Sequence, residues 1–385
     1  MRNVPVLIAA AYLAVAPLSA SAASDPTWEQ WQTVAGVFDL GGPRSDGSLI
    51  VAGSPNLYLV DPAGTLTPFP VGPGGYHPAP GAEAYMAVSP GLHVGAAGCD
   101  FARDETFLLR VQAPLGIDRV GAAGESAGGF ANVSGVTSLT GITFDTTGAF
   151  DHRLLASGVS GGKSVIAAID CRGTVQLITS SAPALEGGLA VAPLGFGSFG
   201  GDLIAPDELS GNIYAIAPNG SVTMIAKPSL PIGGDIGVES LGFVPTGLLR
   251  GGMAYYADRK TEGNPHPGTD SVLRLSSSDL ALAGVQEGDL LVATEGGATL
   301  VAVHCAAACN AIPVVSTPTT AHGEGHIVFT LKKIAPSPVP SAKASPPPGT
   351  QRTSSSSTAP IVALVIAAVI VTAVGVGLLA VRRRT

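Results

Sequence analysis

Four stretches of this chain align with one another without a gap: Glu83-Ala-Tyr-Met-Ala-Val, Glu186-Gly-Gly-Leu-Ala-Val, Glu239-Ser-Leu-Gly-Phe-Val and Glu324-Gly-His-Ile-Val-Phe. A fifth, Leu139-Thr-Gly-Ile-Thr-Phe, fits the apolar positions without the acid. Successive starts lie 56, 47, 53 and 85 residues apart. Recurrence at roughly 40–55 residues marks propellers and solenoids. The long last interval must hold extra loops or another repeat.

Each repeat carries further short apolar runs separated by turn residues. The clearest is Asp202-Leu-Ile-Ala-Pro followed by Gly211-Asn-Ile-Tyr-Ala-Ile-Ala-Pro-Asn-Gly-Ser-Val. Leu154-Leu-Ala-Ser with Val165-Ile-Ala-Ala-Ile-Asp-Cys-Arg-Gly, and Ser48-Leu-Ile-Val-Ala with Leu57-Tyr-Leu-Val-Asp-Pro-Ala-Gly, follow the same plan. Pro-Asn-Gly, Cys-Arg-Gly and Pro-Ala-Gly stand where hairpins turn, because glycine tolerates positive φ. Composition agrees. There are 51 Gly and 31 Pro, and only 12% of residues are charged, which excludes a helical bundle, while 46% hydrophobic residues exclude a disordered chain. The fold class expected is all-β, a β-propeller of about six blades at roughly 50 residues each. A two-sheet sandwich array is the alternative.

The ends set the topology. Residues 1–22 run from Arg2 through an apolar stretch to Ser19-Ala-Ser-Ala-Ala23, the composition of a signal peptide cleaved near Ala22 or Ala23. Residues 359–381 hold no charge and are followed at once by Arg382-Arg-Arg384. At 1.5 Å per residue such a helix spans roughly 34 Å, enough for a bilayer core. The arginines place the 382–385 tail in the cytoplasm. Residues 335–358, rich in Pro and Ser, are a disordered stalk that could reach on the order of 70 Å. A cell-wall sorting signal would need an LPxTG-like pentapeptide, and Pro346-Pro-Pro-Gly-Thr350 departs from it. The expected product is a single-pass type I plasma-membrane protein with residues 28–334 folded outside the cell.

Without Arg2 and the tail arginines, 16 basic residues face 28 acidic ones. That balance excludes nucleic-acid binding, which needs clustered Lys and Arg. An oxidising exterior suits disulfides. Four cysteines allow three pairings; Cys305 with Cys309 and Cys99 with Cys171 is the expected set, a zinc site lacking a second close pair.

The recurring glutamate carries the chemistry. In a propeller the first strand of each blade lines the axial channel, so Glu83, Glu186, Glu239 and Glu324 would converge at one mouth. Carboxylates so close repel, and call for a cation or raised pKa values. Oxygen ligands suit Ca²⁺ or another divalent metal. The competing reading has each glutamate accept backbone N–H groups of the next blade. His322-Gly-Glu324-Gly-His326 adds two imidazoles two residues apart, which on an extended strand share a face and would admit a transition metal. Residues 255–270 read as a long polar loop between strands. Gly124-Glu-Ser126-Ala-Gly128 has the letters of a nucleophile elbow but lies in a Gly/Ala-rich loop without the strand–turn–helix setting.

The segment Ile142-Thr-Phe-Asp-Thr-Thr-Gly148, with the repeat spacing, resembles the six-bladed NHL and gluconolactonase-like propellers over about residues 34–331. The resemblance implies one divalent metal in the channel and lactone hydrolysis, and its only match to a ligand position is Glu186. Two functions are therefore expected of the site. The first is a surface module binding a protein or small molecule; the alternative is a metal-dependent lactonase- or esterase-like hydrolase of the cell envelope.

Overall fold

Short strands and glycine turns dominate the molecule for a local reason. The three predicted hairpin glycines, Gly64, Gly173 and Gly220, all stand at positive φ, at 91°, 81° and 85°. A Cβ there would be strained. The computed structural model describes residues 25–69, 83 and 85–332. The expected signal peptide, stalk, membrane span and tail lie outside the described residues. Among the described residues, no helix is long and apolar enough to cross a membrane. The α-helix Ser277–Leu282 is a short connector, capped by the Ser276 side chain.

Six four-stranded antiparallel sheets form the blades. From the innermost strand outward, blade 1 is Asp39–Gly41, Leu49–Ala52, Leu57–Val60 and Leu66–Pro68. Blade 2 is Met86–Val88, Thr106–Arg110, Gly116–Val120 and Ser126–Asn132. Blade 3 is Ser138–Phe144, Leu154–Ser160, Lys163–Ile169 and Val175–Ala182. Blade 4 is Ala190–Val191, Leu203–Asp207, Asn212–Ile216 and Val222–Ala226. All five aligned segments lie on or lead into innermost strands, and blade 1 supplies the sixth at Asp39. The arrangement is a six-bladed β-propeller, not a sandwich array.

The last two blades are interleaved. After Val238–Phe243, the innermost strand of blade 5, the chain crosses to build Met253–Asp258 and Ser271–Ser276 of blade 6. It then returns to complete blade 5 with Leu290–Thr294, Leu300–Cys305 and Cys309–Val315. Gly323–Thr330 finally becomes the innermost strand of blade 6, and the N-terminal Glu29–Thr33 its outermost. This exchange accounts for the 85-residue interval. It also places Trp31 inside the repeat architecture, packed on Tyr255 with ring centroids 4.9 Å apart. Closing the ring with the first and last of the described strands leaves only short, protected sheet edges.

Burial explains the apolar runs. The second strands Leu49–Ala52 and Leu203–Asp207 are buried along their whole length, because both faces meet a neighbouring blade. Six apolar clusters fill the spaces between successive blades around the ring. Phe107 of blade 2 and Phe144 of blade 3 meet edge-on, with Phe101 closing the group.

Both expected disulfides are present. Cys99–Cys171 ties the hairpin His93–Val94/Cys99–Asp100 to the turn after the third strand of blade 3, and Cys305–Cys309 closes the outer hairpin of blade 5. Asp145 of the Phe-Asp-x-x-Gly segment organises its turn, accepting from the amides of Thr147, Gly148, Phe150 and His152. Ser126 opens an outer strand of blade 2, with no nucleophile elbow around it.

Candidate cation site at the acidic mouth of the channel

The innermost strands all begin at the same end of the ring, so the residues that open them meet there. Glu83 forms an ion pair with Arg259, whose Nη1 lies 2.7 Å from Glu83 Oε1 and 3.0 Å from Glu324 Oε1. Arg259 is the first residue of the polar loop after Met253–Asp258, so that loop supplies the cation of the mouth. Tyr85 donates to Oε1 of Glu239 at 2.7 Å and lies 3.2 Å from Oε2 of Glu324. His322 Nε2 stands 2.8 Å from Glu295 Oε1 and 3.6 Å from Glu324 Oε1. Backbone bonds hold these groups: the amide of His322 donates to Asp258 Oδ1, and that of Gly323 to the carbonyl of Glu295.

Six glutamates share this mouth: Glu83, Glu186, Glu208, Glu239, Glu295 and Glu324. Facing them are one guanidinium and one imidazole. Burial, then repulsion from Glu83, Glu324 and Glu295, pushes Glu186 up to about 7. Burial and the hydrogen bond to Glu295 push Glu208 up to about 9. Burial and the charge of Glu324 hold Glu239 well above the carboxylate range. Glu324 is raised by burial, against the opposing hydrogen bond of His322. Burial disfavours charge on His322, but its bonds to Glu295 and Glu324 outweigh that and lift it to about 9.

Glu295, His322 and Glu324 form the tightest set. One ligand atom from each lies within 4.8 Å of the others, and the three residues are 7%, 2% and 2% exposed. Two buried polar atoms of this neighbourhood, His322 Nδ1 and Glu208 Oε1, have no hydrogen-bond partner. An imidazole with carboxylates fits a divalent transition metal better than Ca²⁺, which prefers six or more oxygens.

His326 does not join this set. Gly325 has φ +70°, and the pairing with Met253–Asp258 slips between Tyr255↔Val328 and Ala257↔Glu324. The bulge breaks the two-residue alternation, so His326 faces another way. Its Nδ1 lies 3.0 Å from Asp39 Oδ1, and its Nε2 bonds the Ile142 carbonyl at 2.9 Å. Burial opposes its charge, yet Asp39 and that carbonyl raise its pKa. Glu83 sits at the rim with its side chain 41% exposed, and Glu239 is engaged by Tyr85. The backbone-bonded role expected of the glutamates belongs to Asp39, which accepts from the amides of Leu40, Met86 and His326 across three blades.

Sequence reasoning missed Glu295, Glu208 and Arg259. Glu208 and Glu295 each follow the second strand of their blade directly, after Leu203–Asp207 and Leu290–Thr294. Glu295-Gly-Gly also repeats the letters of Glu186-Gly-Gly. Those two signals could have found both acids.

No protein-family model matches the chain, and no curated protein matches it. Among solved structures it is similar to a virginiamycin B lyase from Staphylococcus aureus, at 12% identity and a TM-score of 0.43, covering 79% of this chain and 96% of that one. A streptogramin B lyase gives 12% and 0.42, covering 80% and 95%. A TolB-like protein from Agrobacterium tumefaciens gives 11% and 0.41, covering 77% and 91%. Likeness this distant transfers no site residue or chemistry.

Proposed function

We propose that the protein is a binding module of the cell surface, a propeller held outside the plasma membrane by its Pro/Ser stalk and single span, with a divalent cation at its acidic mouth. The convergence of Glu295, His322 and Glu324 is the observation that supports this most directly. The cation would replace the protons that otherwise keep so many carboxylates together. Glu83 and Glu186, nearer the surface, face what approaches from outside, which is a protein or small molecule rather than nucleic acid.

A metal-dependent lactonase or esterase is supported less well. Catalytic metals keep a coordination position open to substrate, whereas structural ones are closed, and these three ligands are buried. Elemental analysis of the full chain, purified without chelator, tests both readings. One divalent ion per chain, lost in Glu295→Gln and Glu324→Gln and retained in Glu83→Gln, is expected. Absence of metal together with a melting point indifferent to EDTA would remove the cation. Turnover of lactones or esters abolished by Glu324→Gln would replace the binding reading with the hydrolase.

A further inference from the structure

The ring axis is no open pore. His326 of blade 6 crosses it, resting on Asp39 of blade 1 and bonding Ile142 of blade 3, on the far side of the ring. Beside it, Gly188, leading into blade 4, comes so near blade 6 that a Cβ would lie 2.6 Å from the Gly325 carbonyl oxygen. The channel is thereby divided into two cups. One is the acidic mouth, at the starts of the innermost strands. The other, at their ends, is a cavity of about 410 Å³ whose wall takes Leu40, Met86, Phe144, Val191, Phe243 and Phe329 from the six blades in turn.

This second cup differs from the first in every chemical respect. His326 is the one ionisable side chain among the described residues that line it, and both its ring nitrogens are engaged. A charged ligand would lose its hydration there with no countercharge to compensate. Two hydroxyls, on half-buried Thr143 and exposed Thr146, offer a polar ligand atom a partner on one wall. An apolar cavity of roughly 150 Å³ accepts benzene, so this one has room for two or three fused rings. Pockets of roughly 300–1,000 Å³ with apolar walls and few polar groups are the usual form of a small-molecule site. A macromolecular partner gains little here, because the wall of such a cup falls well below the roughly 800 Å² that each partner contributes to a stable interface.

We propose that the cup closed by His326 binds an uncharged, mainly apolar small molecule of two or three rings, with one polar group directed at Thr143 and Thr146. This site is independent of the cation at the other mouth.

The probe is 2-naphthol, titrated by fluorescence against the full chain in lipid nanodiscs, with empty nanodiscs as the blank. Saturable one-to-one binding in the micromolar range is expected. Thr143→Trp fills the cup and should weaken binding at least tenfold with an unchanged melting point. Val88→Phe, on a neighbouring wall, serves the same purpose should the first variant fold poorly. Glu295→Gln should bind as the parent does, whatever becomes of the metal. The proposal is overturned by binding no greater than to empty nanodiscs, or by full affinity in both cup-filling variants. It is equally overturned if light scattering shows self-association that Thr143→Trp abolishes, for then a second copy covers the cup.

Discussion

The hydroxyl of Tyr85 and the carboxyl of Glu239 meet at 2.7 Å although they come from blades 2 and 5, on opposite sides of the ring. Both side chains are buried. Removing one partner leaves the other unsatisfied away from water, at about 1–3 kcal/mol. Tyr85→Phe should therefore lower the melting temperature by several degrees in calorimetry, about 2–4 °C per kcal/mol for a domain of this order of size. An unchanged transition would mean that Glu239 finds another donor.

Glu186 gives the mouth a pH dependence. Its carboxyl titrates near 4.5 when unfolded and near 7 when folded. Below pH 4.5 both states are protonated and the group is neutral toward stability. Between pH 4.5 and about 7 the folded state binds more protons, so its stability falls as pH rises, and above 7 the loss is complete. Glu186→Gln should raise the melting temperature at pH 8 and make no difference near pH 4. A melting temperature raised equally at both values would refute this assignment.

The two disulfides should differ sharply in worth. Cys99–Cys171 spans 72 residues and Cys305–Cys309 only 4. The longer closed loop restricts the unfolded chain more, and losing such a bridge typically costs about 2–5 kcal/mol. Replacing Cys99 and Cys171 by serine should shift denaturant unfolding strongly. The same change at Cys305 and Cys309 should shift it by less than half as much.

Gly325 is a position where only glycine fits. Its φ of +70° is joined by a contact in which a Cβ would stand 2.1 Å from Asp39 Oδ1. Gly325→Ala must displace the carboxylate that ties three blades together. A loss of about 1–3 kcal/mol or more is expected, read as an early unfolding midpoint. Tolerance of alanine there would show that the bulge can relax.

Much of the architecture was legible because propeller blades repeat locally. The aligned segments marked the innermost strands, and Gly64, Gly173 and Gly220 marked the hairpins, since each reflects a short stretch of backbone. Only the innermost strand of blade 1 escaped, because its segment opens with Asp39 where four of the others carry glutamate. The exchange between blades 5 and 6 was read only as a long interval. No local preference tells Met253–Asp258 to leave the blade begun by Val238–Phe243.

The site divides in the same way. Residue type and spacing alone determined that acidic groups would open the strands lining one mouth, and that short apolar runs between glycine turns would build the blades. Only the tertiary structure decided which groups met. Glu295 reaches His322 because separate blades bring them together, and His326 leaves that set because one glycine turns the strand. Strand periodicity is a property of consecutive residues, whereas a constellation of ligands depends on distances between segments far apart in the chain, which are set by how the ring closes.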